Sequence, residues 1–393
     1  MITMLHPCRC NIVFADNGDS ILSKLKSMGF PRNEFITEAI RLGRSQEFIT
    51  EALAYADALD NKGLPVIFDV GHLAFILNKD MKEMALITMN ASQLYRYFAI
   101  KKRNGGLRRI MAPYRNLQAA QLWIKESILD KIQYSNCVTA FVSGRNTSMN
   151  AKAHEGRKYV LKFDLKDFFE SINIVRVISA FRWMGYDGRV ALCLARICTA
   201  KIDEYNIYKQ LEDQPEVQAL FEDMRNSYLR FLMPGAPTSP GLANIVCGRL
   251  DKRLNGYALK HGISYTRYAD DITFSSDDKV LLPSVNFIRK VVNSEGFLLN
   301  ENKTELLHEG NRQIVTGLLI DGHVRVPGRY KRDIMRHIHF CQKFGGRAHF
   351  HRIAPFMAYG KEWLEGRIRY VYSVEPEAAQ KMWKEFEKID WGI

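Results

Sequence analysis

The sequence predicts an α+β fold, an antiparallel sheet packed on helices with mostly helical segments before and after it. Three observations carry that prediction. Residues 264–275 are rich in β-branched and aromatic residues on both sides of Tyr268-Ala269-Asp270-Asp271, which is the composition of strand, turn and strand. Tyr159-Val-Leu-Lys-Phe-Asp164 is a second apolar strand, and it ends on an acid. Helical segments follow each of them, and no G-x-G-x-x-G or P-loop run occurs, which excludes a Rossmann arrangement.

In chain order, residues 1–60 read as helical after about Ser20. Phe35-Ile-Thr-Glu-Ala-Ile and Phe48-Ile-Thr-Glu-Ala-Leu recur 13 residues apart, and two copies are too few for a solenoid, so they read as two similar amphipathic helices. Residues 61–65 form a linker, and short helices are expected over 69–78 and 92–98. A basic hairpin over 98–113 turns at Asn104-Gly105, a favoured type I′ pair. Its second strand puts Leu107, Arg109 and Met111 on one face and Arg108 and Ile110 on the other. An amphipathic helix over 117–132 follows, then a loop over 150–156 before the first acidic strand. Residues 168–198 are mostly helical, and the polar stretch 201–229 reads as an inserted helical segment. Residues 282–295 form a helix closed by Gly296, 300–319 are strand-like, and the last 70 residues are basic and mostly helical.

At 393 residues the chain is long enough for two or more domains, and 47% hydrophobic with 25% charged residues marks it as globular. No run of about 18 apolar residues is present, and Pro7 and Arg9 interrupt any N-terminal leader, so a cytoplasmic protein without a membrane partner is expected. Seven scattered cysteines suit reduced thiols, and Cys8 and Cys10 lack the second Cys/His pair of a zinc site. A net charge of +13 calls for a polyanionic partner. No long amphipathic basic helix is evident, which favours nucleic acid over a membrane surface.

Asp270 and Asp271 sit at a hairpin tip, and Asp164 ends a separate strand. Solvated turn acids are the plain alternative. Carboxylates aimed at one place repel and need a counter-ion such as Mg²⁺. Three of them on two strands are the minimum for two ions in in-line phosphoryl transfer, Asp164 and Asp270 bridging and Asp271 more loosely engaged. Phe168 and Phe169 follow at once, either as core or with Phe169 lying under a nucleotide sugar, where its volume would exclude a 2′-hydroxyl. Residues 231–244 are turn-rich. Gly235 permits close backbone approach, and Thr238 and Ser239 are expected to cap a helix that has Pro240 in its first turn. The basic hairpin offers Lys101, Lys102, Arg103, Arg108 and Arg109 as cationic clamps for a triphosphate, with Arg108 and Lys101 favoured. His337/His339 and His349/His351 alternate as on a strand and suit RNA contact or a plain surface better than a metal site.

Taken in order, these segments resemble a reverse transcriptase, and within that class the retron type, over about residues 62–375. The resemblance rests on Tyr268-Ala-Asp-Asp271, Phe163-Asp-Leu-Lys-Asp-Phe-Phe169 and Gly235-Ala-Pro-Thr-Ser-Pro240. It rests also on Asn150-Ala-Lys-Ala-His154, Val315-Thr-Gly317, the Lys101-Lys-x-x-Gly-Gly-x-Arg108 hairpin and Leu364-Glu-Gly-Arg-Ile-Arg-Tyr370. It implies a right-hand polymerase fold: fingers 61–157, a palm 158–320 and a helical thumb 321–393; the N-terminal helical extension 1–60 and the helical insertion at about 201–230 are not explained by it.

The resemblance further implies that Asp164, Asp270, Asp271 and the backbone oxygen of Leu165 hold two Mg²⁺ ions, with Mn²⁺ as an alternative. Lys303 would protonate the pyrophosphate leaving group. Phe169 would select deoxynucleotides, Arg108 and Lys101 would meet the triphosphate, and the 235–240 loop, with Gly235 and Ala236, would shape the nucleotide pocket. Val315, Thr316, Gly317 and Leu318 would steady the primer end, and Asn150 and His154 would contact the cognate RNA. The implied product is msDNA, a branched RNA–DNA hybrid copied from dNTPs on a noncoding msr-msd RNA and primed by an RNA 2′-hydroxyl. An antiphage role with a separate effector protein is also implied, and a higher-order assembly is compatible with it. One departure stands out: the family's usual glutamine before this glycine is Pro234 here, which removes a polar contact. A scaffold holding RNA and msDNA while sequestering an effector toxin, and a group II intron-like reverse transcriptase, are the alternatives.

Overall fold

The computed structural model describes residues 30–101, 105–224, 229–354 and 359–392. The expectations for Cys8, Cys10, Lys102, Arg103 and Asn104, and for any helix before Phe30, lie outside these residues. The chain divides into two compact units, one of Met1–Tyr134 with Asp167–Arg249 and the other of Ser135–Lys166 with Leu250–Ile393. The described strands are β1 (Tyr95–Lys101), β2 (Leu107–Pro113), β3 (Tyr159–Asp164), β4 (Thr199–Ala200) and β5 (Phe231–Leu232). They continue with β6 (Ser264–Tyr268), β7 (Asp271–Ser276), β8 (Glu305–His308), β9 (Ile314–Val315) and β10 (Leu318–Leu319).

In the first unit the two repeats form helices Arg32–Arg41 and Gln46–Asp60. Ser45 caps the second by accepting from the Phe48 N–H. Asp69 caps Val70–Ile76, and Asp80 with Glu83 forms a capping box on Met81–Met89. The helix expected over 92–98 is instead a 3₁₀ turn, Ala91–Leu94, followed by β1. Tyr95 and Tyr97 both point into the core, a two-residue period that only a strand satisfies. β1 and β2 pair antiparallel from Tyr95↔Pro113 to Lys101↔Leu107.

The inserted segment carries helices Glu204–Gln210 and Pro215–Ala219. It docks through Gln210, whose side-chain amide accepts from the Tyr97 N–H at 3.0 Å and donates to the Tyr95 carbonyl at 3.1 Å. One side chain thereby satisfies the edge of β1 as a neighbouring strand would.

The second unit is built on an antiparallel sheet of order β6-β7-β3-β8. Residues 150–156, expected as a loop, begin within helix Thr147–Lys152, because Asn146 supplies a cap that the 150–156 window did not contain. The C-terminal helices Gly328–Phe344, Gly346–Ile353, Gly360–Tyr372 and Pro376–Phe386 bury Ile334, Ile338, Phe350, Leu364, Ile368 and Met382. That core is continuous with Val160, Val315, Leu318 and Ile320. His337 and His339 lie on a helix, as do His349 and His351, so the strand-like alternation does not hold. The spacing of Ile334, Ile338 and Cys341 sets the period there, and His337 Nδ1 meets His349 Nε2 at 3.0 Å.

Among the described residues, no helix is long and apolar enough to cross a membrane. The five described cysteines are buried, and none of them forms a disulfide among the described residues.

Candidate active site

The hairpin joining β6 to β7 turns through two residues, Ala269 and Asp270, with Tyr268 paired to Asp271. Ala269 has φ +58°, a left-handed conformation that costs a non-glycine residue roughly 1–2 kcal/mol. Two hydrogen bonds hold the turn: Arg267 Nη1 donates to the Ala269 carbonyl at 3.1 Å, and the Leu165 N–H donates to the Asp270 carbonyl at 3.0 Å. Across the ladder Asp271 is directly opposite Asp164. The end of β3 is fixed from its other side as well, by Asn300 N–H to the Asp164 carbonyl and Lys166 N–H to the Leu298 carbonyl, both 2.8 Å. The short turn Glu301–Lys303 then brings Lys303 Nζ to 2.6 Å from Asp164 Oδ1.

The electrostatics follow from that crowding. Burial, then the charges of Asp270 and Asp164, push the Asp271 carboxyl up to about 6, with Lys162 and Lys303 acting against them. For Lys303, partial burial favours the neutral amine. The hydrogen bond to Asp164 and the charges of all three aspartates outweigh it, and its pKa is raised. Tyr268 is raised by burial and by Asp271.

Among the described residues no group of three or more His, Cys, Asp or Glu side chains is already spaced to hold an ion. What the fold does bring together is Asp164 opposite Asp271, with Asp270 close enough to bias both Asp271 and Lys303. An all-oxygen donor set under mutual repulsion suits a hard divalent cation.

The remaining site residues of the first unit are placed as follows. Phe169 is half-buried against Phe168, ring centroids 5.2 Å apart. Lys101 and Arg108 are exposed. The inward face of β2 instead presents Arg109, which donates to the Leu220 carbonyl at 3.0 Å and lies 3.4 Å from Glu170 and 3.6 Å from Asp167. Gly235 has φ +111°, and a Cβ there would come within 2.9 Å of Ile110 Cγ2 and 3.0 Å of the Met111 carbonyl oxygen.

Pro234, in place of the family's glutamine, accepts the Met111 N–H at 2.7 Å through its carbonyl. The backbone link to β2 is therefore independent of the side chain at that position. Ala236 is buried. The expected hydroxyl caps are not formed: helix Ser239–Val246 has no side-chain cap from Thr238, and Ser239 Oγ donates to the Met233 carbonyl at 2.8 Å. Pro240 in the first turn accounts for the sharp start.

In the second unit the two short motifs meet. Asn150 is buried, accepts from Thr139 Oγ1 at 2.7 Å and reaches Thr316 Oγ1 at 3.5 Å. Thr316 has φ +47° and donates to the Thr147 carbonyl, while Gly317 is exposed between buried Val315 and Leu318. His154 is fully buried, its ring nitrogens each 2.7 Å from a hydroxyl, Ser275 Oγ and Thr266 Oγ1. The ring stitches a helix end to β6 and β7 and presents no face to solvent, so a direct RNA contact by His154 has no structural support.

Sequence reasoning missed Arg267 and Asp251, both buried and paired beneath the turn. The signal was available. Asp251 shares the apolar stripe of Leu250, Leu254 and Ala258 on helix Gly248–His261, and Arg267 interrupts an apolar strand two residues before Ala269.

Carboxylates from β3 and from the β6–β7 hairpin are thus brought to one end of the sheet. Residues 100–331, more than half of the chain, match the family "Reverse transcriptase (RNA-dependent DNA polymerase)". The chain belongs to that family. Retron Mx65 reverse transcriptase of Myxococcus xanthus is 36% identical, over 73% of this chain and 63% of its own. Retron Ec86 reverse transcriptase of Escherichia coli is 29% identical, over 84% and 92%. Retron Mx162 reverse transcriptase of Myxococcus xanthus is 34% identical, over 62% and 51%. The chain thus spans under two thirds of both Myxococcus relatives and most of the Escherichia one, and within the family it is of the retron type. Among solved structures, telomerase from Candida albicans with a TWJ fragment of telomeric RNA matches 74% of this chain and 56% of that one, at 12% identity and a TM-score of 0.40.

Proposed function

We propose that this chain is an RNA-directed DNA polymerase that copies a cognate noncoding RNA into msDNA, starting from a 2′-hydroxyl of that RNA. The observation that carries this reading is the register pairing of Asp164 with Asp271, with Lys303 on Asp164. Family membership and the retron relatives support it.

Asp164, Asp270, Asp271 and the Leu165 carbonyl would hold two Mg²⁺ ions. Such ions, when bound, lower the barrier by stabilising charge on the attacking and leaving oxygens. The chain's own residues do the rest. The β3 end and the hairpin hold the carboxylates at fixed separation, so that the primer terminus is positioned rather than activated by covalent chemistry. Lys303, whose pKa is raised, arrives protonated and can donate to the departing pyrophosphate.

Phe169 excludes a 2′-hydroxyl, Arg108 and Lys101 attract triphosphate, and Gly235 and Ala236 shape the base pocket. Val315 to Leu318 steady the primer end, with Asn150 acting through Thr316. Residues 61–157 serve as fingers, 158–320 as palm and 321–393 as thumb. A role beside a separate effector in antiphage defence rests on the retron likeness alone.

Isolating the nucleic acid that copurifies with the full chain tests the proposal. A short DNA joined to RNA through a 2′–5′ linkage is expected. Unbranched or unrelated nucleic acid, with no DNA product on addition of dNTPs, would contradict it.

A further inference from the structure

Beneath the acidic turn lies an ion pair that the chemistry above does not use. Arg267 and Asp251 are bonded twice, Nε to Oδ1 at 2.8 Å and Nη2 to Oδ2 at 2.7 Å, and both side chains are excluded from solvent. Tyr265 adds a third bond to the carboxylate, Oη to Oδ1 at 2.8 Å. A buried ion pair is a poor way to gain stability, since well-packed apolar residues of the same volume often serve as well or better. Its value here lies in direction. The guanidinium is planar and rigid; with one edge locked on Asp251, its Nη1 is aimed at the Ala269 carbonyl, 3.1 Å away. That carbonyl belongs to the left-handed residue immediately before Asp270. The Arg267 backbone is clamped as well, its N–H to the Cys137 carbonyl at 2.8 Å and its carbonyl accepting from the Thr139 N–H at 2.9 Å. The guanidinium therefore reaches the turn from a fixed base.

We infer that the Asp251–Arg267 pair is a positioning device for polymerisation, holding Ala269 in its strained conformation so that Asp270 and Asp271 meet Asp164 in the productive arrangement. The inference rests on the polymerase reading and adds to it two residues that touch neither nucleotide nor metal.

The test compares Asp251→Leu/Arg267→Met, an apolar replacement of the whole pair made in a Tyr265→Phe background so that the Tyr265 hydroxyl is not left without its acceptor, with that background, with the wild type and with Asp270→Asn. The double variant is expected to keep its melting temperature and its affinity for RNA. Its kcat for dNTP incorporation on a primed RNA template should fall about 10²-fold, the scale of a roughly 1 Å misplacement. The KM for dNTP should stay within about threefold, because substrate binding is untouched. The Mg²⁺ concentration giving half-maximal rate should rise. A merely structural role would move the melting temperature and leave that concentration alone.

If the double variant does not fold, Arg267→Lys carries the test. An ammonium keeps the charge beside Asp251 but cannot serve carboxylate and carbonyl together, so a drop of about tenfold in kcat at unchanged KM is expected. A folded variant of either kind with wild-type kcat and wild-type Mg²⁺ response overturns the inference. Wild-type activity in Asp270→Asn would instead overturn the polymerase reading beneath it.

Discussion

Asp164 and Asp271 stand directly opposite each other across the β3–β7 ladder, the last pair of its register. Like charges so placed weaken a sheet, and here Asp270 follows immediately before Asp271 in the chain. Lys303 offsets one side of the repulsion by bonding Asp164, and the Asp271 carboxyl remains raised to about 6. On the proposed function, a cation would relieve the repulsion that remains.

Magnesium should therefore stabilise this protein through Asp271. The folded pKa of about 6 lies above the ordinary 3.8, so the native state holds its proton longer than the unfolded chain does. Stability thus falls as pH rises between those values and stays reduced above them. In chelator-treated protein at a pH above 6, Asp271→Asn is expected to raise the melting temperature by a few degrees, on the order of 1–2 kcal/mol, while abolishing polymerisation. Mg²⁺ should raise the wild-type melting temperature and move the variant's much less. An equal response in both would place the ion elsewhere.

His154 should make the second unit acid-labile. Burial, with a smaller contribution from Arg157, lowers its pKa to about 3 from 6.5. The unfolded state then binds the extra proton first, and stability present above 6.5 is lost as pH falls toward 3. The loss attributable to this ring approaches about 1.4 kcal/mol per pH unit well inside that window. Denaturant melts at several pH values should show a shallower acid slope in His154→Gln, whose neutral pH stability will itself be lower.

Lys303 should contribute as an acid rather than as a binder. Lys303→Ala is expected to slow single-turnover incorporation by about 10²-fold, the low end for loss of a positioned proton donor. Lys303→Arg keeps the charge on Asp164 but yields its proton far less readily, so it should stay slow while folding normally. Full activity in Lys303→Arg would leave only the electrostatic role.

Gly235→Ala should disturb the loop held to β2. The new Cβ meets Ile110 at 2.9 Å and the Met111 carbonyl oxygen at 3.0 Å, and the residue already has φ +111°. A loss of about 1–3 kcal/mol and a raised KM for dNTP are expected. Ile110→Ala relieves the side-chain clash only, so it should rescue in part. Steady-state kinetics and thermal melts on Gly235→Ala, Ile110→Ala and the double variant check this.

The chemistry-bearing strands were legible in the sequence because their signals are local: alternation around Tyr268 to Asp271, and an apolar run ending on Asp164. Helix ends followed where a cap was recognised. The start of β1 was missed because Ser92 to Phe98 is short enough to fit either period, and only the burial of Tyr95 and Tyr97 decides it. The two-residue spacing of the C-terminal histidines mimics a strand, and only the isoleucines around them show the helical period. Arg109 rather than Arg108 faces inward on β2, on the same face as Leu107 and Met111, as the alternation of that strand requires. Arg267 and Asp251 each interrupt an apolar pattern that is visible locally, but which residue meets which, across 16 positions there and 166 for Asn150 with Thr316, is not written in any local pattern.

The most direct measurement is RNA-templated incorporation of dNTPs by the purified full chain, with Mg²⁺ supplied, beside Asp164→Asn and Asp270→Asn variants that melt at the wild-type temperature or above. DNA synthesis by the wild type that requires the ion and vanishes in both variants is expected. Synthesis that persists in either folded variant, or that proceeds equally with the ion chelated, would contradict a metal-dependent polymerase built on the Asp164–Asp271 pair.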